Sequence, residues 1–258
     1  MSVLSYLVNR ASGAVLSGSE NASIERSIST LQTRLNTYFD GDLETHFRFG
    51  SSTRGTNLPR SMDEKSDIDY MVVFKNGDSV PQTYLDRLRR FVETYYGRSE
   101  IYQSAPTIVL ELNHIKFDLV PARSTWISGL QIPNWGGGWL DTNPNDFNAN
   151  LESTNRNNAS LIKPTIRLFK YWNAVNGYVM DSYQFEKWLI GQFFFFDKNQ
   201  KDYLFSAFDK LEFSWDAAQW RKDKLARAKQ LVANVRAYEG RDMSTSAESE
   251  VKKLIPTG

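Results

Sequence analysis

Two carboxylates two residues apart, Asp67 and Asp69, open the apolar run Ile68-Asp69-Tyr70-Met71-Val72-Val73-Phe74. In an extended chain, residues two apart project to the same face, so both carboxylates point together. Side by side they repel and cost stability unless a cation lies between them. A hard divalent cation is the natural partner of an all-oxygen site, and a triphosphate supplies further oxygens. A third carboxylate, Asp118, lies in Ile115-Lys116-Phe117-Asp118-Leu119-Val120-Pro121, where apolar neighbours leave it no obvious solvent face. Three carboxylates complete a two-metal arrangement, one ion serving a triphosphate and one an attacking hydroxyl. Upstream, Gly50-Ser51 offers backbone N–H groups and a hydroxyl to phosphate oxygens, and glycine permits close approach. The competing reading makes Asp67 a cap and Asp69 a solvated strand residue. The order of Gly-Ser before Asp-x-Asp, and the third carboxylate, weigh against it.

Composition narrows the chemistry. The 258 residues contain no cysteine and two histidines, His46 and His114. Thiolate nucleophiles, disulfides and zinc ribbons are excluded, and a histidine-rich metal site nearly so. Any metal is then a carboxylate-bound hard cation: two Mg²⁺ ions are expected, with Mn²⁺ as a substitute. Lys and Arg total 31 against 30 Asp and Glu, a net charge of +1. Phosphate neutralisation supplies most of the affinity for long nucleic acids, so no such partner is expected to be required. The apolar run Val3 to Val8 is broken by Arg10, too short for a signal peptide, and no apolar stretch reaches spanning length. A cytoplasmic protein without a membrane partner is expected.

The positioning elements can be read from periodicity. Ile24, Ile28, Leu31 and Leu35 mark a helix near Ala22 to Phe39. A strand is expected at His46 to Phe49, a turn-rich stretch from Gly50 to Ser66, and a buried strand at Ile68 to Phe74. Pro81 starts an amphipathic helix with Leu85, Leu88, Val92 and Tyr95 on its stripe. Strands at Thr107 to Leu112 and Ile115 to Val120, joined by Asn113-His114, predict a hairpin. Ser124 to Asn158 reads as loop, with Gly136-Gly137-Gly138 either a flap or a linker. Helices are expected at Ala159 to Asn176, Ser182 to Phe196, Asp202 to Leu211 and Asp216 to Tyr238, then a loose polar tail from Gly240 to Glu250. The chain is thus an α+β protein with two domains: 1–125, a mixed β-sheet with helices, and 126–258, an all-helical lobe.

Phe49-Gly50-Ser51-Ser52-Thr53-Arg54-Gly55-Thr56 followed by Ser66-Asp67-Ile68-Asp69 resembles the signature of the DNA polymerase β-like nucleotidyltransferase superfamily. Fifteen residues separate Ser51 from Asp67, somewhat more than that family's usual gap. Asp63 lies at a more typical distance but lacks the apolar-then-acidic pattern after it. Phe117-Asp118-Leu119-Val120-Pro121-Ala122, Leu168-Phe169-Lys170-Tyr171-Trp172-Asn173 and Asp181-Ser182-Tyr183-Gln184-Phe185-Glu186 narrow the match. Together, over about Phe47 to Trp188, they resemble the bacterial cGAS/DncV-like nucleotidyltransferases (CD-NTases).

The resemblance implies a two-lobed nucleotidyltransferase fold whose helical lobe closes over the nucleotide. It implies that Lys170 reaches the triphosphate, Ser182 touches phosphate and Tyr183 stacks on the donor base. On the residues alone, Lys170 could equally snorkel past Phe169 and Tyr171, Tyr183 could be a core tyrosine, and Arg54 could contact phosphate or be solvated. The activity implied is condensation of NTPs into a cyclic di- or oligonucleotide messenger in antiphage (CBASS) defence, with pyrophosphate released. A regulatory protein partner, or an effector acting through the product, belongs to that picture. Three alternatives stay open: a linear-product enzyme, a transferase modifying tRNA or a small molecule, and a catalytically silent nucleotide-binding partner.

Overall fold

A computed structural model describes residues 1–75, 79–104, 106–125, 129–134, 136–144 and 146–257. The described chain divides into two compact units, which interleave along the sequence: residues 17–60 and 65–148 form one, and residues 1–16, 61–64 and 149–258 the other.

In the first unit, α2 (Gly18–Phe39) opens with a capping box: the Ser17 hydroxyl accepts from the Glu20 backbone N–H, and the Glu20 carboxylate accepts from the Ser17 N–H. Its stripe of Ile24, Ile28, Leu31, Leu35 and Phe39 is buried, as the spacing predicts. The strands are β1 (Leu43–Arg48), β2 (Ile68–Phe74), β3 (Glu100–Ser104), β4 (Thr107–Glu111), β5 (Lys116–Thr125), β6 (Gly129–Pro133) and β7 (Trp139–Thr142). They form one mixed sheet in the order β1-β2-β5-β4-β3, with β6 on β5 and β7 on β6. Only β2 and β5 run parallel among the described pairs. A parallel pair buried on both faces explains the near-continuous Val/Ile/Leu/Phe runs of these two strands. Met71, Val73, Val120 and Ala122 pack together on one face with Phe47, Phe49, Leu130 and Ile132. On the other, Phe39 of α2 and Tyr84 of α4 (Pro81–Tyr96) meet the Phe74 ring at 5.2 and 5.0 Å.

The β4–β5 hairpin forms as expected, closed by reciprocal hydrogen bonds between Leu112 and Ile115 around Asn113-His114. The loop expected from Ser124 to Asn158 is instead largely structured. It contains the end of β5, the β6–β7 hairpin and α5 (Asp146–Asn157), while its residues 126–128, 135 and 145 lie outside the described residues. Short strands of five and four residues, with Gln131 and Asp141 among their apolar side chains, hid the pairing. Asn134 closes the β6–β7 turn, its side-chain oxygen accepting from Gly136 and Gly138 at 2.9 Å. Gly136 to Gly138 are therefore a hairpin turn.

The second unit is helical throughout among the described residues: α1 (Val3–Gly13), most of α5, α6 (Ile162–Val175), α7 (Ser182–Ile190), α8 (Gln200–Lys210), α9 (Gln219–Glu239) and α10 (Ser244–Leu254). The first helix is anchored by the Tyr6 hydroxyl, which donates to the Ile255 carbonyl at 2.5 Å. Two expectations need correction. The helix from Ser182 ends at Ile190, where Gly191 caps it, and Phe193, Phe195 and Phe196 beyond are exposed. The tail is no loose segment, because Ala247, Val251 and Leu254 recur at helical spacing and are buried. No described helix is long and apolar enough to cross a membrane.

Candidate active site

The sheet unit gathers the acidic residues. Asp69 on β2 is the direct register partner of Asp118 on β5, so the two carboxylates share one edge of adjacent parallel strands. Asp67 lies just before β2, two residues from Asp69. Gly50 follows β1 and approaches Asp69 so closely that a Cβ added to it would lie 1.9 Å from Asp69 Oδ2. Its dihedrals, φ 71° and ψ −153°, belong to a region essentially restricted to glycine. The Phe49 N–H donates to the Asp69 carbonyl at 3.0 Å, which fixes the turn against β2.

Ser51 begins a single helical turn, α3 (Ser51–Arg54). Thr53 buttresses it, its hydroxyl donating to the Gly50 carbonyl at 2.9 Å. Arg54 is buried with its guanidinium 5.3 Å from the Phe147 ring, so the solvated reading of this residue does not hold.

The acidic residues are not alone. Lys116, two residues before Asp118 on the same strand face, places its ammonium 3.2 Å from Asp67 Oδ2 and 3.7 Å from Asp118 Oδ1. Burial lowers the Lys116 pKa, but the charges of Asp67 and Asp118 outweigh it and the net direction is upward. Asp118 is pushed up to about 6, by burial first and then by the charge of Asp67, with Lys116 opposing both. Its buried Oδ1 accepts no hydrogen bond. Lys116 escaped the sequence reading, although its two-residue spacing from Asp118 was the available signal.

Among the described residues, no group of three or more His, Cys, Asp or Glu side chains is gathered closely enough to hold a metal ion as it stands. Like charges hold each other apart, and an ammonium takes the position between two of them. The donor chemistry nonetheless suits a hard cation: oxygen ligands throughout, with one buried carboxylate oxygen lacking a hydrogen bond.

Because Asp118 is harder to ionise folded than unfolded, it should make stability depend on pH. Its favourable contribution is complete below its unfolded value near ~4 and lost as pH rises through about 6. Asp118→Asn should therefore stabilise the apo-protein at pH 8 by about 1–3 kcal/mol and do little at about pH 3.5. Equal shifts in melting temperature at both pH values would refute this.

The other three candidates lie in the helical unit. Lys170 is buried on α6, its ammonium 3.7 Å from the carboxylate of Glu186, itself 1% exposed. Lys170 is thus no snorkelling surface lysine. Ser182 is the first residue of α7, whose N-cap Asp181 accepts from the Gln184 N–H at 2.8 Å. Tyr183 is 43% exposed with Lys187 5.6 Å over its ring, so it is not a core tyrosine. Asp63, set aside for want of the right pattern, also lies in this unit, where its carboxylate accepts from the Tyr178 hydroxyl at 2.7 Å.

Comparison with known proteins decides the family. Residues 1–155 match the model of the Second Messenger Oligonucleotide or Dinucleotide Synthetase domain. The chain belongs to that family. It is accordingly a member of the cGAS/DncV-like nucleotidyltransferases, the group that its motifs resemble. A probable cyclic nucleotide synthase of Bacillus cereus (strain VD146) is 27% identical over 184 residues, covering 56% of this chain and 54% of the relative. The match thus spans about half the length of that curated relative. Escherichia coli CdnC, solved with ATP, superposes with a TM-score of 0.73 at 16% identity, covering 98% of each chain. CdnC has also been solved in a CdnC:HORMA-deltaN complex, with a TM-score of 0.73 at 16% identity, covering 99% of this chain and 98% of that one. Vibrio cholerae DncV in its apo form gives a TM-score of 0.79 at 9% identity, covering 99% of this chain and 95% of that one. These structures share the fold.

Proposed function

We propose that the protein condenses nucleoside triphosphates into a cyclic di- or oligonucleotide, a ribose hydroxyl attacking an α-phosphorus with release of pyrophosphate. The observation that carries this reading is the pairing of Asp69 with Asp118 across adjacent parallel strands, with Gly50 pressed onto Asp69. Family membership supports the reaction class.

In this reading Asp67 and Asp69 hold both metal positions, and Asp118 holds the catalytic one. When bound, two divalent ions neutralise charge on the phosphates and lower the pKa of the attacking hydroxyl. Asp118, the register partner of Asp69, would help to accept the hydroxyl's proton. Gly50, Ser51 and Arg54 bind the triphosphate, where the backbone N–H groups of the turn face phosphate oxygens. Lys170 and Ser182 contribute to phosphate binding, and Tyr183 offers its exposed ring to a base. A cytoplasmic role in antiphage defence, and control by a protein partner, complete the proposal. The CdnC:HORMA-deltaN complex of the E. coli relative motivates the last point.

The test is incubation with labelled NTPs and Mg²⁺, phosphatase treatment and separation of the products. A phosphatase-resistant cyclic product is expected, without added nucleic acid and without steep loss of activity as salt rises. Exclusively linear products, transfer to tRNA or a small molecule, or nucleotide binding without turnover would each replace the reading by the corresponding alternative. A requirement for duplex DNA or RNA would overturn the expectation about partners.

Tyr183 and Lys170 make a separate prediction. Removing a base stack costs about 1–3 kcal/mol, so Tyr183→Ala should weaken NTP binding roughly 5- to 150-fold, while Tyr183→Phe should bind normally. Neither should melt early, since the residue is exposed. Lys170→Ala should weaken binding of all four NTPs alike. It should also lower the melting temperature, because it removes the ammonium beside the buried Glu186 carboxylate. Normal NTP affinity in Tyr183→Ala would remove the stacking role.

A further inference from the structure

The pair of contacts made by Lys116 carries a consequence for how the site takes up metal. The Lys116 side chain is only 14% exposed, and its ammonium reaches both Asp67 and Asp118. The cross-strand neighbour of Lys116 is Glu111, a rival anion for its ammonium. Glu111 is instead engaged by Arg60, Nη2 to Oε1 at 2.5 Å. Lys116 is thus directed toward the aspartates. A side chain fixed two residues before Asp118 on the same strand cannot drift away as a free counter-ion would. A divalent ion entering between Asp67 and Asp118 must push this charge aside, and the displaced ammonium then needs another anion, which a triphosphate supplies.

We propose that Lys116 is a resident counter-cation of the carboxylate site, holding the position between Asp67 and Asp118 until metal and triphosphate together displace it. This rests on the metal-binding reading of the aspartates. Metal alone should then bind weakly and metal with nucleotide tightly, so that the site is charged only when substrate is present. Without nucleotide, Lys116 also protects the fold, since it separates two partly buried carboxylates that would otherwise repel each other.

The experiment titrates Mn²⁺ into full-length protein at pH 8.5, reading free Mn²⁺ by electron paramagnetic resonance. It is run with and without non-hydrolysable analogues of ATP and GTP, on wild type, Lys116→Met and Lys116→Arg. Without nucleotide, Lys116→Met should bind Mn²⁺ about tenfold tighter or more, the order expected when one unit charge a few ångströms from a partly buried site is removed. Its apo melting temperature should fall and should recover on Mn²⁺ addition by more than that of wild type. Lys116→Arg, which keeps the charge, should stay near wild type in Mn²⁺ affinity. Equal or weaker Mn²⁺ binding by folded Lys116→Met would overturn the inference and leave the metal reading standing. Failure of Lys116→Met to fold even with Mn²⁺ would assign the lysine a purely structural role and would likewise overturn it, unless Lys116→Gln folds and shows the tighter binding. If wild type and variants all bind no Mn²⁺ even with an analogue present, the metal reading falls and takes the inference with it.

Discussion

Asp69→Asn should abolish product formation while the protein remains folded. The carboxylate is assigned to both metal positions, and no neighbouring group on its strand can replace it: Tyr70 and Ile68 are buried and Met71 is apolar. Loss of such a ligand in two-metal chemistry should raise the barrier on the order of 4 kcal/mol or more, roughly a thousandfold in rate. Stability should change little, because Asn is nearly isosteric and one repelling charge beside Asp118 disappears. Asp67→Asn should be equally inactive but differ in stability. It removes the partner that Lys116 holds at 3.2 Å, so its melting temperature should lie below that of Asp69→Asn. Near-normal turnover by either variant with Mg²⁺ would disprove the assignment of the aspartates.

Those aspartates were legible in the sequence because a charge is conspicuous within an apolar strand. Ile68 to Phe74 and the β4–β5 hairpin announced themselves through β-branched and aromatic runs, and β5 then brought Asp118 beside Asp69. Elements whose burial rests on few residues were harder to see. Helix α10 is rich in Ser, Glu and Lys, and only Ala247, Val251 and Leu254 with Glu250 reveal its inner face. Strand β3 alternates exposed and half-buried residues at the sheet edge, and β6 and β7 are short and mostly half-buried or exposed. The expected helix containing Trp220 exists, yet Trp220 is exposed and Leu225, Ala228, Leu231, Val232 and Val235 form the buried stripe.

Charge pairing was less legible still. A lysine in a strand reads as a solvated residue, and only the parallel register shows that Lys116 reaches both Asp67 and Asp118. The same holds for Lys170, whose partner Glu186 lies on the next helix. Periodicity reports which face is apolar. It does not report which of several charges on the other face will meet.

Gly50→Ala should cost activity on the order of a hundredfold, although it deletes no functional group. Two separate physical effects act at this position. Backbone strain is the first: at φ 71° and ψ −153° a Cβ is disfavoured whatever surrounds it, at a cost of about 1–3 kcal/mol. Collision is the second: the new methyl would lie 1.9 Å from Asp69 Oδ2 and 2.7 Å from its Cγ, so the carboxylate must move or the turn must. Either movement separates the Gly-Ser turn from the residue proposed to hold the metals, and a displacement of about 1 Å in such a site costs on the order of a hundredfold in rate. Gly55 provides the control that separates the effects. Its φ is also positive, at 68°, but nothing lies within 4 Å of a Cβ built there. Gly55→Ala should therefore lose about 1–2 kcal/mol of stability from left-handed strain alone and keep most of its activity. Melting temperature, Mn²⁺ affinity with an NTP analogue present, and turnover should be measured together on both variants. Gly50→Ala is expected to fall in all three, and Gly55→Ala mainly in the first. If the two lose activity equally, the close approach of Gly50 to Asp69 has no part in catalysis, and backbone strain in the loop explains both.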